Sequence, residues 1–229
     1  MVTIAARDLG IRYGKTSILS DVNFQIQSGS FVVILGDNGA GKTSLIRTIL
    51  GQTQPSTGTL TVQAEKIGYV PQFRSISADY PLSVRDFVGL GFNQPGRLWF
   101  NAQEKAAIQA AIKQVDLADL ANHRLGLSSG GQKQRAFVAQ ALAQEPDLLI
   151  LDEPTASLDE KHSLALVKMV RRLQQERGLT VLWITHDTQW INDYADDYLW
   201  LAHCDLKQGK IADLAQDVPG GHRQEVNHV

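Results

Sequence analysis

The chain has 229 residues, 43% of them hydrophobic and 20% charged, an ordinary globular balance with enough length to bury a core in one domain. Its 22 Lys and Arg against 24 Asp and Glu give a formal net charge of -2, which argues against a dedicated nucleic-acid binder and against a nucleic-acid partner. A single cysteine, Cys204, rules out an internal disulfide, and the longest apolar runs are strand-sized, far short of the ~20 residues that a membrane helix needs.

Cys204 reads as a buried structural thiol, and the absence of a basic start followed by an apolar stretch points to a soluble, cytoplasmic chain. From the amino terminus, Thr3–Ala5, Ile11–Tyr13 and Val22–Ile26 alternate in short bursts and read as antiparallel strands. Ser28-Gly29 turns into an apolar strand over Phe31–Leu35, followed by a glycine-rich loop and a helix from Lys42 to about Gly51. A turn at Pro55–Gly58 leads to strands at Thr59–Val62 and Ile67–Val70. The texture then becomes helical, with Ile108, Ile112 and Val115 at helical spacing inside Ala102–Asp116. The Arg171-Arg172 and Lys133–Arg135 stretches read as solvated helix faces. After a helix beyond Gly131 come the buried parallel strand Leu148–Leu151, a helix over Glu160–Arg177 closed by Gly178, and strands at Val181–Thr185 and Tyr198–Ala202. The whole reads as one α/β domain over 1–218 with a tail over 219–229. Residues 1–72 and 145–218 form the core with an antiparallel β-subdomain, and 73–144 form a helical insertion.

The run Gly36-Asp37-Asn38-Gly39-Ala40-Gly41-Lys42-Thr43-Ser44 fits the phosphate-binding pattern G-x-x-x-x-G-K-[ST]. Glycines at this spacing let backbone N–H groups curl around an anion, and the helix that follows aims its positive end at it. Lys42 supplies a charge for the β- and γ-phosphates of a nucleotide, and the Thr43 hydroxyl can ligate Mg²⁺. Downstream, Leu148–Leu151 ends in Asp152-Glu153. Adjacent residues on a strand face opposite ways, so two neighbouring acids can do different work. Asp152 then suits the Mg²⁺ shell, and Glu153 the water that attacks the phosphate.

Between these two motifs lies Ser128-Ser129-Gly130-Gly131-Gln132, which resembles the L-S-G-G-Q signature of ABC ATPases, with Ser128 where leucine is common. Serine hydroxyl and glycine amides at a helix start form a second anion grip. The resemblance extends from about Thr3 to Gly209 and implies a P-loop NTPase core with a mostly parallel sheet, ATP and Mg²⁺ as cofactors, and ATP hydrolysis. It further implies that Tyr13 stacks on adenine, that Gln72 senses Mg²⁺ and the attacking water, that Asp159 lies in a loop crossing to a second subunit, and that His186 contacts the γ-phosphate. Ser129–Gln132 of one copy would complete the phosphate site of another, which makes a homodimer the working unit. The resemblance also implies integral-membrane permease subunits, a substrate-binding protein and a position at the cytoplasmic face of the membrane. An exposed subset of Phe73, Tyr80, Phe87, Phe92, Trp99 and Phe100 would dock the permease. The segments Ile67–Gln72 and Tyr80–Val88 are similar to cassettes of zinc and manganese importers, which implies import of a metal cation such as zinc, manganese or iron. The alternative is a soluble ABC-type ATPase of DNA repair or translation, against which stand the single cassette and the lack of sustained heptads.

Overall fold

The structure is a computed structural model, and it describes residues 2–72, 76–92, 99–186 and 191–217. In chain order the main elements are β1 (Val2–Tyr13), β2 (Thr16–Gln27), β3 (Phe31–Gly36), α1 (Lys42–Ile49), β4 (Thr57–Val62), β5 (Ile67–Val70), α2 (Val84–Gly89), α3 (Ala102–Gln114), α4 (Gly130–Leu142), β6 (Leu148–Asp152), α5 (Glu160–Arg177), β7 (Thr180–Ile184), β8 (Asp197–Ala202) and β9 (Asp205–Lys210). They divide into two compact units, one built from the chain up to Gln63 and from Ile184 onward, the other from Ala64–Trp183.

In the first unit, β1 lies between β2 and β4, antiparallel to both. The two short strands expected at Thr3–Ala5 and Ile11–Tyr13 are one twelve-residue strand. Its alternation is broken because Asp8 takes φ 48°, a bulge that shifts the side-chain period by one residue and lets Ile4, Leu9 and Ile11 all reach the core. Opposite this bulge, Gly58 has φ 68°, and a Cβ there would fall 2.1 Å from the Asp8 carbonyl oxygen, so the expected turn residue is a strand residue under close approach. Beside this meander, β3 pairs parallel with β8, and β8 pairs antiparallel with β9. The strand β9 had no counterpart in the sequence reading, because Asp205–Lys210 shows little apolar alternation and is largely exposed. The turn between β8 and β9 carries His203 and Cys204 at φ 50° and 65°. Cys204 is exposed, with its Sγ against the Ser17 carbonyl oxygen at 3.3 Å, which corrects the expectation of a buried thiol. Position in a tight turn, rather than apolar character, decides its exposure.

In the second unit, β5, β6 and β7 lie side by side, with β5 parallel to β6. Every residue of β6 and β7 is buried, as continuous apolar runs under helices require. Asp147 joins the entries of β5 and β6: its carboxylate accepts the N–H groups of Glu65 at 2.7 Å and Lys66 at 2.8 Å. Burial pushes its pKa up, but the backbone N–H groups of Glu65 and Lys66 outweigh that and hold it below the usual carboxylate value.

The helices α2, α3 and α4 pack together in this unit around Val84, Phe87, Val88, Ile108, Ile112 and Val138. Helix α2 escaped the sequence reading because it is only six residues long; Ser83 caps it by accepting the Asp86 N–H at 3.1 Å. Of the aromatics expected to dock a partner, Phe87 is core, edge-on to Tyr80 and Phe137, whereas Trp99 is 82% exposed. Tyr80, Phe92 and Phe100 are half-buried, and Phe73 lies outside the described residues, as does the tail over 219–229. The basic stretches are also more engaged than expected. Arg172 donates to the Gln114 carbonyl oxygen at 2.9 Å, and Lys133 is half-buried and donates to the Ile76 carbonyl oxygen at 3.0 Å. Among the described residues no helix is long and apolar enough to cross a membrane.

Candidate nucleotide site

The first unit carries the phosphate-binding loop between β3 and α1. Gly36, Gly39 and Gly41 adopt φ of 145°, 85° and 104°, conformations that only glycine takes without strain. A Cβ at Gly36 would fall 2.4 Å from the Leu201 carbonyl oxygen, and one at Gly41 would fall 2.6 Å from Ile18. The pattern of glycines is thus demanded by the loop's curl as well as by close neighbours. Helix α1 starts at Lys42 with no side-chain cap, so the first N–H groups of the helix are not claimed by a capping side chain. Lys42 itself is only 8% exposed, and its ammonium donates to the carbonyl oxygens of Gly36 and Asp37, the latter at 3.1 Å. A lysine lying across its own loop in this way presents a point charge over a nest of amides, which is the donor set a polyphosphate needs. Asp37, Asn38, Ala40 and Ser44 complete the loop and the first turn of the helix, and Thr43 is exposed on that turn.

Two further expected residues share this unit. Tyr13, at the end of β1, is 44% exposed. The nearby side chains of Thr53, then Arg47 and Ser44, favour its phenolate form and hold its pKa below the ordinary phenol value. The ring therefore stands beside the helix that follows the phosphate loop. His186 is exposed in a bend beyond β7; Thr185 before it donates its N–H to the Ile34 carbonyl oxygen of β3 at 3.3 Å, two residues ahead of Gly36.

The second unit carries the acids. Asp152 ends β6 and Glu153 follows it, both 9% exposed. Tyr69 of β5 donates its hydroxyl to Asp152 Oδ2 at 3.4 Å, a contact not visible in the sequence because β5 and β6 are far apart along the chain. Glu153 adopts φ 49°, an uncommon conformation for a side chain of this kind and one that clusters at functional sites. Gln72 is exposed just past β5.

In the same unit the Ser129–Gln132 motif opens α4. Ser129 Oγ accepts the Gln132 N–H at 3.3 Å while Gln132 Oε1 accepts the Ser129 N–H at 2.9 Å, a reciprocal capping box. An accepting hydroxyl keeps its own proton for donation, so the cap is compatible with an anion at Ser129. Gly131 is buried in the turn, whereas Gly130 is exposed. A Cβ at Gly131 would fall 2.9 Å from His162 of α5, and one at Gly130 would fall 3.8 Å from Leu158. Asp159 caps α5, with Oδ1 accepting the His162 N–H at 2.8 Å and lying 2.7 Å from His162 Nδ1. These contacts, the backbone N–H first, hold the Asp159 carboxyl below its usual pKa. The spacing of three between Asp159 and His162 is the one sequence feature that signals this cap.

The donor set fits Mg-ATP. The amides and Lys42 suit phosphates, while Thr43 and Asp152 are hard oxygen ligands of the kind magnesium takes alongside phosphate and water. Among the described residues there is no cluster of three or more His, Cys, Asp or Glu that would hold a metal without such help.

The profile of the ABC transporter family matches residues 19–156. The zinc transport system ATP-binding protein AdcC of Streptococcus pneumoniae is 38% identical over 204 residues, covering 84% of this chain and 87% of that protein. The manganese transport system ATP-binding protein MntB of Bacillus subtilis is 36% identical over 212 residues, covering 88% of this chain and 84% of that protein. Among solved structures, the dimeric form of MJ0796, a bacterial ABC transporter cassette, superposes with a TM-score of 0.73 at 26% identity, covering 91% of this chain and 98% of that one.

Proposed function

This chain belongs to the ABC transporter family, as an ATP-binding and ATP-hydrolysing subunit, and from that premise we propose that it powers import of a metal cation, zinc or manganese, through a partner permease. The observation that carries the reading is that one chain holds both a glycine cradle with Lys42 and a buried Glu153 at φ 49° after β6, and that its relatives are named for zinc and manganese transport.

In this reading the amides of Gly36–Ser44 and Lys42 bind the phosphates, and Tyr13 offers its ring to the base. Thr43, Asp152 and Gln72 hold Mg²⁺, which when bound neutralises charge on the transferred phosphoryl group. Glu153 takes a proton from the attacking water, and His186 orients that water and the γ-phosphate. Ser129–Gln132 and Asp159 serve the site of a second copy in a homodimer. The chain sits at the cytoplasmic face of the membrane against permease subunits, with a substrate-binding protein delivering the cation; among the described residues Trp99 is the most exposed large apolar side chain and belongs to the permease dock.

The test is co-purification with a candidate membrane permease, reconstitution in vesicles, and measurement of ATP turnover with Zn²⁺, Mn²⁺ or neither. Stimulation by one cation supports the reading. Turnover indifferent to both, with cation uptake absent, overturns it.

A further inference from the structure

Gln134 is 1% exposed, and among the described residues neither its side-chain nitrogen nor its side-chain oxygen has a hydrogen-bond partner. A buried amide with both ends orphaned is a large local penalty, and native folds carry few of them. It sits in the second turn of α4, on a stripe whose surroundings are known at both ends. Gly130, four residues earlier on that stripe, packs on Leu158; Ala141, seven residues later, presents its carbonyl oxygen 2.8 Å from where a Cβ of Gly68 in β5 would be. The helix rises about 1.5 Å per residue and a strand about 3.3 Å. Moving back from Ala141 to Gln134 therefore covers about 10 Å, or about three strand residues beyond Gly68, which is the level of Pro71. The next side chain round the helix agrees: Lys133 already donates to the Ile76 carbonyl oxygen at 3.0 Å, so the start of α4 lies beside the chain that leaves β5.

We propose that Gln134 is a positioning residue whose buried amide engages the peptide between Pro71 and Gln72 in the nucleotide-bound protein, tying the signature helix to Gln72. The chemistry is matched. Nε2 donates to the Pro71 carbonyl oxygen, and Oε1 accepts the Gln72 N–H, so one side-chain amide satisfies one backbone peptide. Gln72 then takes its place towards the magnesium and water only when the helix carrying Ser129 is also in position. Pairing of this amide on nucleotide binding would then favour the bound arrangement. This inference rests on the ATPase reading above.

The experiment compares wild type with Gln134→Leu, and with Gln134→Met as a second apolar variant of similar volume. An apolar side chain removes the orphaned groups, so the nucleotide-free melting temperature should rise by about 2–4 °C. In the same variants kcat should fall about tenfold with KM for ATP within about twofold, the signature of an interaction made after substrate has bound. The thermal shift that Mg-ATP produces in a Glu153→Gln background should shrink as well. A nucleotide-free melting temperature that falls in a folded variant would mean the amide is already satisfied there, and it overturns the proposal. An unchanged kcat overturns it too. Wild type that turns over no ATP sinks the ATPase reading itself, whereas active wild type alongside an equally active Gln134→Leu sinks only this inference.

Discussion

Ser129 and Gln132 close on each other at the start of α4, with Ser129 Oγ accepting the Gln132 N–H at 3.3 Å and Gln132 Oε1 accepting the Ser129 N–H at 2.9 Å. The motif expected to grip an anion is thus also a helix cap, and the two roles separate by substitution. Ser129→Ala should cost about 1 kcal/mol of stability, the ordinary value for a lost cap. Its ATPase rate should fall far more, by about tenfold or beyond, since the donated hydroxyl is lost from the reacting phosphate. Thermal denaturation and steady-state ATPase on the same preparation check this. A rate that drops only in proportion to the unfolded fraction would reduce Ser129 to a cap.

Lys42 holds its ammonium on the carbonyl oxygens of its own loop while buried to 8% exposure. Lys42→Ala removes the one cationic side chain of the cradle but leaves its glycine geometry intact. Affinity for a fluorescent ATP analogue should drop roughly tenfold or more, as expected for a charge-assisted contact to phosphate. Equal affinity in titration would place the phosphates elsewhere.

Glu153→Gln keeps the shape of a side chain held at φ 49° and removes only its basicity. ATP binding should persist and turnover should fall at least about 100-fold, the range of a lost general base. The trapped nucleotide-bound species should appear as a dimer in size-exclusion chromatography. Wild-type turnover in this variant would assign the base to another residue.

Tyr13 divides into a ring and a hydroxyl with separate tasks. Its hydroxyl lies near Thr53, Arg47 and Ser44, whereas its ring is the part expected to meet adenine. Tyr13→Phe should leave KM for ATP within about twofold, and Tyr13→Ala should raise it several-fold, a loss of the order of 1 kcal/mol for an aromatic contact. Equal KM values for all three proteins would confine Tyr13 to packing.

Asp147 makes stability pH-dependent with a definite sign. Its folded pKa lies below the value near 4 of an unfolded aspartate, so its contribution is fully present above that value. The contribution is lost as pH falls through the depressed folded value. Asp147→Asn should cost about 1 kcal/mol at pH 7, a modest figure because the group is exposed to solvent. The cost should shrink as pH falls below the ordinary aspartate value near 4, which denaturant titrations from neutral into acid pH would show. A constant difference at all pH values would argue that the carboxylate charge contributes nothing.

The extent to which the chain was legible follows from whether an interaction is local. The cradle, the Asp152-Glu153 pair and the Ser129–Gln132 turn were readable because each is contiguous and its residue spacing is its geometry. The helix over Glu160–Arg177 ending at Gly178 was readable for the same reason, and Gly178 does adopt φ 64° as a left-handed cap. Strand β1 was misread as two pieces because the Asp8 bulge resets the alternation, and the cause of that bulge, Gly58, lies fifty residues away.

Sequence alone determined the chemistry available: a phosphate cradle, two acids, a capped serine-glycine turn, and the order in which they occur. Tertiary structure alone decided which groups are pinned and which are spent. It put Tyr69 on Asp152, Lys133 on the Ile76 carbonyl, Cys204 in an exposed turn, and Gln134 in the interior without a partner among the described residues. The reason is that burial and hydrogen-bond satisfaction are properties of segments brought together from distant parts of the chain, and no spacing along one segment encodes what the other will present.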